Sequence, residues 1–377
     1  MRRLLLLGGG HCHAAVLKRF GEEPVAGVEL VLVNPGRYAA YSGMIPGLIA
    51  GDYEWRQCHI DLERLAGFAG ARVLDDRAAG IDPDARRVAL EGGAALEYAW
   101  LSIDVGSTPA AGDVPGVARN AVSVRPAERL LAALEGLSER SRRGTLGRVV
   151  VVGAGAAGIE VALSLQHRLR REGASPPAFV VATDAPHVLP GHPGRARAIV
   201  QRILRERSIS VLAGKPVTAV SGSGLTLAGG QEVAADAVIW ATGAAAPAWL
   251  SSTGLALDAR GFIAVWRTLQ SISHPEVFAA GDCATLVDDP NPKSGVFAVR
   301  QGAVLAANLR HALAGQALAP FSSFSLALSL LNCGDRHAVA SWDGIALEGR
   351  WAWRWKDWID RRYVARYPVP AHPGPAG

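Results

Sequence analysis

No stretch of about 18 uncharged apolar residues occurs in the chain, so a transmembrane helix is not expected, although a mean hydropathy of +0.16 is rather apolar. A secretory signal is not expected either. Met-Arg-Arg and four leucines run directly into Gly8-Gly9-Gly10 without a small-residue cleavage site, so this segment reads as a first buried strand. Cysteine is scarce: Cys12, Cys58, Cys283 and Cys333 are widely spaced and form neither a CxxC metal pattern nor a disulfide framework. Such usage suits a reducing cytoplasm. Charged residues make up only 19% of the chain, with a net charge of +5 and a pI near 9.2. A field of that sign suits an anionic partner or bound anionic ligands alike, and charge alone does not separate the two; no nucleic-acid partner is expected.

What is present is a repeat. In 377 residues there is room for two or three domains. Leu4–Lys18 reads LLLLGGGHCHAAVLK and Val149–Leu163 reads VVVVGAGAAGIEVAL, each an apolar run entering a glycine turn and then a helical pattern. An apolar run without polar alternation is what a parallel strand buried on both faces shows. A second apolar strand follows each helix, at Val28–Val33 and Phe179–Ala182, giving two βαβ units. An amphipathic helix over Arg125–Arg143 joins them, with apolar residues at 127, 130, 131, 134 and 137. Short strands at Val238–Gly243 and Val277–Asp282 end in glycine and are placed against the first unit. Beyond residue 320 the composition changes, with strands expected at 325–331 and 337–342 before a Trp-rich tail.

The glycines carry the chemistry. In Gly153-x-Gly155-x-x-Gly158 the first permits a tight turn, the second lets backbone approach a pyrophosphate, and the third lets the helix lie close to the strand. Exposed N–H groups and the helix dipole then hold the phosphates. Asp184, past the second strand, favours a ribose 2′-hydroxyl and hence NADH, while Thr183 at the strand end keeps NADPH open. In the first unit Gly8 and Gly10 are present, but His13 stands where the third glycine belongs. That implies a displaced helix or a His13 side chain directed away from the strand. Asn34 replaces the usual acidic residue, with an amide still able to bond a ribose hydroxyl.

With both glycine motifs, Ala241-Thr242-Gly243 and Phe278-Ala-Ala-Gly-Asp282 in order, residues 1 to 320 resemble the pyridine nucleotide-disulfide oxidoreductase superfamily. Tyr41-Ser-Gly-Met-Ile-Pro-Gly47 and Pro292–Gln301 are similar to the flavoprotein branch fused to selenide, water dikinase, itself akin to type II NADH dehydrogenases. The resemblance implies an α/β chain of two Rossmann-like, glutathione-reductase-like domains plus a small C-terminal α+β segment. Residues 1–110 and 241–320 would form a discontinuous FAD domain, 111–240 the NAD(P)H domain, and 321–377 the C-terminal segment. It further implies that Gly8, Gly10, His11, Asn34, Gly43, Gly106, Gly281 and Asp282 bind FAD, Asp282 through the ribityl chain. Asp104-Val105-Gly106 matches the ATG-like crossing only loosely. The helix opening near Val296 and Phe297 would face the flavin pyrimidine. NADH or NADPH would fall to Gly153, Gly155, Gly158, Thr183, Asp184 and Gly243, with Glu160 at the nicotinamide amide.

Lys293 and Tyr41 join Glu160 as candidate catalytic groups, a solvated loop lysine and a packing tyrosine being the plainer readings. The superfamily's CxxxxC pair is missing, which excludes disulfide reduction through it. No cysteine lies between Cys58 and Cys283, which argues against sulfide:quinone oxidoreductase chemistry, although Cys333 could approach the flavin. The expected reaction is hydride transfer from NAD(P)H to FAD and onward to a quinone-like acceptor. A sulfur, selenium or protein-substrate reductase and a flavin- or nucleotide-binding regulator are the alternatives. No metal is expected at His11-Cys12-His13, whose side chains diverge. In the tail, Trp351, Trp355, Trp358, Ile359 and Tyr363 form one helical stripe, which makes 350–367 a candidate anchor on the inner face of a membrane. Packing on its own domain, or on the mate of a homodimer, is the other reading.

Overall fold

The structure, a computed structural model, describes residues 1–112, 114–173, 176–322 and 328–371. It is a mixed α/β fold built around the two apolar runs. Leu4 to Leu7 are at most 1% exposed, and Val149 to Val152 at most 4%. Each run is the middle strand of a five-stranded parallel sheet.

In the first sheet Arg2–Leu7 pairs with Val28–Val33 on one side and Trp100–Ile103 on the other, with Arg72–Leu74 and Val277–Ala279 at the edges. The second repeats the plan: Arg148–Val152 lies between Ala178–Ala182 and Ala237–Trp240, with Ile209–Leu212 and Ala121–Ser123 outermost. The segment at 238–243 therefore belongs to the second sheet, not against the first unit as expected. Its place beside Val149–Val152 is the one that Trp100–Ile103 holds beside Leu4–Leu7. Val277–Ala279 does join the first sheet. A further repeat has no signature in the motifs: each sheet's return strand is preceded by a three-stranded antiparallel meander, within Ala78–Glu97 and Val217–Ala234.

Helices follow each glycine turn, at His11–Glu22 and Ala156–Glu172. Ala127–Arg142 buries Leu130, Leu134 and Leu137 at helical spacing. Gly295–Ala314 lies against the first helix so closely that a Cβ on Gly302 would stand 2.8 Å from that of Ala15. At the C-terminal end Ser329–Asn332, Ala338–Trp342 and Ile345–Gly349 form an antiparallel sheet, and the helix Arg350–Val364 packs over it. Positions 325–327 of the strand expected at 325–331 lie outside the described residues.

That last helix buries the side opposite to the aromatic stripe. Ala352, Lys356, Asp360, Tyr363 and Val364 face inward, while Trp351, Trp355 and Trp358 are exposed. Tyr363 thus leaves the expected stripe. Among the described residues no helix is long and apolar enough to cross a membrane.

Candidate active site

The two glycine corners have the same backbone. Gly8 has φ +88° and Gly153 φ +109°, values that a side chain strains to adopt. A Cβ on Gly8 would lie 2.4 Å from the Asp104 carbonyl oxygen, and one on Gly153 2.4 Å from that of Ala241. Asp104-Val105-Gly106 and Ala241-Thr242-Gly243 therefore cross their corners in matching places.

At the third glycine position the corners part. A Cβ on Gly158 would come within 2.0 Å of the Gly153 carbonyl oxygen, so this helix lies on its strand. His13 instead fills the gap: its Nδ1 is 2.6 Å from the Gly8 carbonyl oxygen and its Nε2 2.8 Å from Ser102 Oγ. The side chain is fully buried between helix and sheet, so the alternative that it points away from the strand is wrong. Burial lowers the His13 pKa to about 4, keeping the ring neutral.

The helix ends differ as well. The Cys12 and His13 N–H groups donate to Asp104 Oδ2 at 2.8 and 3.1 Å, so a side chain from the crossing strand caps the first helix. Among the described residues no side chain caps the helix that starts after Gly155, and a Cβ on Gly155 would meet nothing within 4 Å. The second corner thus leaves its helix N–H groups open. The first has the same backbone shape, with a carboxylate already at its N–H groups. Asn34 is committed to the loop: its Oδ1 accepts from Gly9 N at 2.7 Å, and its Nδ2 donates to the Pro35 and Gly36 carbonyls. Its expected role toward a ribose has this local use in competition.

The second corner opens into a cavity of about 1990 Å³, above the roughly 300–1,000 Å³ of a single drug-sized ligand site. Gly153, Gly155, Glu160, Thr183, Asp184 and Gly243 line it on one side; Tyr41, Gly43, Lys293, Val296 and Phe297 line it on another. Trp358, Ile359, Asp360 and Tyr363 of the last helix supply a third wall. Gly8, Gly10, His11, Asn34, Gly106 and Gly158 do not line it. Gly281 and Asp282 border a much smaller adjoining space with Lys293 and Phe297.

Several polar groups of the cavity wall have hydrogen-bond partners. Glu160 Oε1 accepts from Asn332 N at 2.8 Å, and desolvation, partly opposed by Lys356, raises its pKa to about 7. Lys356 donates to the Gly43 carbonyl at 2.6 Å and to Asp360 at 2.7 Å; Asp360 also accepts from the Tyr41 hydroxyl at 3.2 Å. Tyr41 stacks on Tyr363 at 4.5 Å, with burial pushing its hydroxyl pKa up. Lys293 donates to the Ala284 carbonyl and to Thr285, and stands over the Phe262 ring, so its ammonium is anchored. Burial lowers its pKa. Asp282 pairs with Arg125 at 3.1 Å and accepts from Ser107 at 3.2 Å. Thr183 Oγ1 accepts from Ala185 N, whereas Asp184 is exposed at the cavity.

Sequence reasoning missed Lys356, Asp360, Arg125 and the cap at Asp104. For Lys356 and Asp360 the available signal is their i,i+4 spacing, in line with Ala352 four residues before and Tyr363 three residues after. His11, Cys12 and His13 contact Ser42, the Ala298 carbonyl and Gly8 respectively. Among the described residues no group of three or more His, Cys, Asp or Glu could hold a metal. Cys333 is fully buried, is absent from the cavity lining, and has its thiol pKa pushed up to about 12 by burial.

The chain is 34% identical over 235 residues to an NADH dehydrogenase-like protein of Mycobacterium tuberculosis, an alignment covering 60% of this chain and 58% of that one. It is 26% identical to an alternative NAD(P)H-ubiquinone oxidoreductase of Arabidopsis thaliana, over 92% of this chain and 75% of the relative. Among solved structures, the sulfide:quinone oxidoreductase of Aquifex aeolicus superposes with a TM-score of 0.80 at 20% identity, covering 98% of this chain and 93% of that one; the likeness is one of fold. The model of the pyridine nucleotide-disulphide oxidoreductase family matches residues 2–302, and the chain belongs to that family.

Proposed function

We propose that the protein is an FAD-dependent NAD(P)H oxidoreductase that passes electrons to a quinone-like acceptor. The observation that carries this reading is one cleft in which the open Gly153–Ala157 corner meets the Tyr41–Gly43 and Lys293–Phe297 segments. NAD(P)H would be held by Gly153, Gly155, Thr183, Asp184 and Gly243, and FAD by the Gly8 corner with Gly106, Gly281 and Asp282. We read residues 1–110 and 241–320 as the flavin domain, 111–240 as the nicotinamide domain, and 321–377 as the segment that walls the cleft. The flavin supplies hydride and electron chemistry; the chain binds, orients and excludes water. Glu160, anchored by Asn332, would accept from a carboxamide. The Gly295–Ala314 helix directs its N-terminal end at the cleft, where N–H groups favour negative charge.

The quinone assignment draws on the acceptor named for the Arabidopsis relative and on the exposed Trp351, Trp355 and Trp358 of the helix whose Trp358 lines the cleft. Those tryptophans would seat the helix in the interfacial layer of a membrane, next to dissolved quinone. The test is the absorption spectrum of purified protein followed by NADH oxidation with a soluble quinone. A flavin spectrum and quinone-dependent turnover are expected. A protein that neither carries nor takes up FAD would overturn the reading.

A further inference from the structure

Two segments close on one buried carboxylate. Asp104 is 3% exposed and accepts from Cys12 N and His13 N at the start of the first helix. A Cβ on Gly10 would stand 2.3 Å from its Oδ2, and one on Gly281 2.5 Å from its Oδ1. Two of the glycines attributed to cofactor binding thus also make room for a side chain of the protein. The matching crossing in the second corner has Ala241, with no charge to offer.

An anion at a helix N-terminus satisfies orphan N–H groups and interacts well with the dipole. A dinucleotide pyrophosphate wants the same groups. Two anions cannot share them in a buried setting without a proton, because like charges at close range favour the neutral form of the weaker acid. From this geometry we propose that flavin binding at the first corner is proton-linked through Asp104: an ionised carboxylate caps the helix before the cofactor arrives, and takes one proton from solvent to become a neutral carboxyl when the pyrophosphate is seated. The proposal rests on the first corner being the FAD site.

Burial already raises the Asp104 pKa to about 7 in the chain alone, against the two N–H donations that lower it. The groups facing it are Cys12 and His13 on the helix and Asp282 and Cys283 on the loop after Val277–Ala279. Desolvation holds His13 near 4 and Cys283 near 12, outside the window in which Asp104 titrates. Asp282 is paired with Arg125. The bound state has the higher carboxyl pKa, so affinity is greatest below pH 7 and falls as pH rises above it, by about tenfold per unit for one linked proton.

The experiment measures the dissociation constant of FAD by flavin fluorescence on dilution of the holoprotein at pH 6, 7, 8 and 9, for the native protein and Asp104→Asn. Calorimetric titration of native protein with FAD at pH 8, in buffers of different ionisation enthalpy, counts the protons. Weakening of about tenfold per unit above pH 7, uptake of close to one proton, and a flat profile for Asp104→Asn are expected. FAD binding that is independent of pH with no proton uptake overturns the proposal and leaves the flavin site standing. Absence of FAD binding at every pH removes the flavin reading and the proposal together. Should Asp104→Asn fail to fold, the proton count on the native protein decides alone.

Discussion

In the second corner a bare Gly158 lets the helix settle on its strand and leaves its N-terminus open to the cavity; in the first, His13 occupies that contact and Asp104 caps the helix. Both corners keep the positive φ of the leading glycine and a crossing strand in the equivalent place. The backbone turn is thus common to the two, while the polar groups around it are free to diverge. One corner is left open, and the other holds its own shape through hydrogen bonds.

The largest effect should come from closing the open corner. In Gly158→Ala the new methyl group meets the Gly153 carbonyl and pushes the helix off its strand. Displacement of about 1 Å should lower kcat/KM for NADH by about 100-fold with flavin content unchanged; equal loss of flavin would mean the corners are not separate sites. The counterpart is His13→Ala, which deletes two buried hydrogen bonds and opens a cavity. Urea unfolding should show about 2 kcal/mol of lost stability, with NADH affinity in the retained holoprotein little altered.

Glu160 comes next. With its pKa raised to about 7, the carboxylate form that accepts a hydrogen bond accumulates as pH rises through that value. NADH kcat/KM should therefore climb through pH 7, and Glu160→Gln should lower it by about tenfold and remove the inflection. A persisting inflection would assign it to another group. The smallest effect belongs to Trp351, Trp355 and Trp358, which touch neither corner. Replacing all three by serine should change stability by only about 0.5 kcal/mol per site yet reduce vesicle co-sedimentation; unchanged sedimentation would discard the membrane contact.

Much of this was legible in the chain. The runs Leu4–Leu7 and Val149–Val152 announce buried parallel strands because no polar residue interrupts them, and the family resemblance is borne out by the match over residues 2–302. Val238–Trp240 was misplaced because an apolar run ending in glycine looks the same in either sheet; pairing, not composition, decides its home. The last helix keeps its tryptophans exposed, as an anchor requires, but its inward face was not legible: Lys356 and Asp360 turn inward because they satisfy one another and the Gly43 carbonyl, while Arg354, Arg361 and Arg362 stay exposed. Asp104 was passed over because its partners, Cys12 and His13, are distant in sequence and are engaged through backbone N–H groups that no motif displays.

The proposed transfer of hydride from a nicotinamide held at the second corner to a flavin held at the first is tested most directly by anaerobic titration of the purified flavoprotein with NADH, followed at the flavin absorption band. One equivalent of NADH should bleach one equivalent of bound flavin, and Gly158→Ala should slow that bleaching by about 100-fold. Bound flavin that neither NADH nor NADPH reduces would contradict the account.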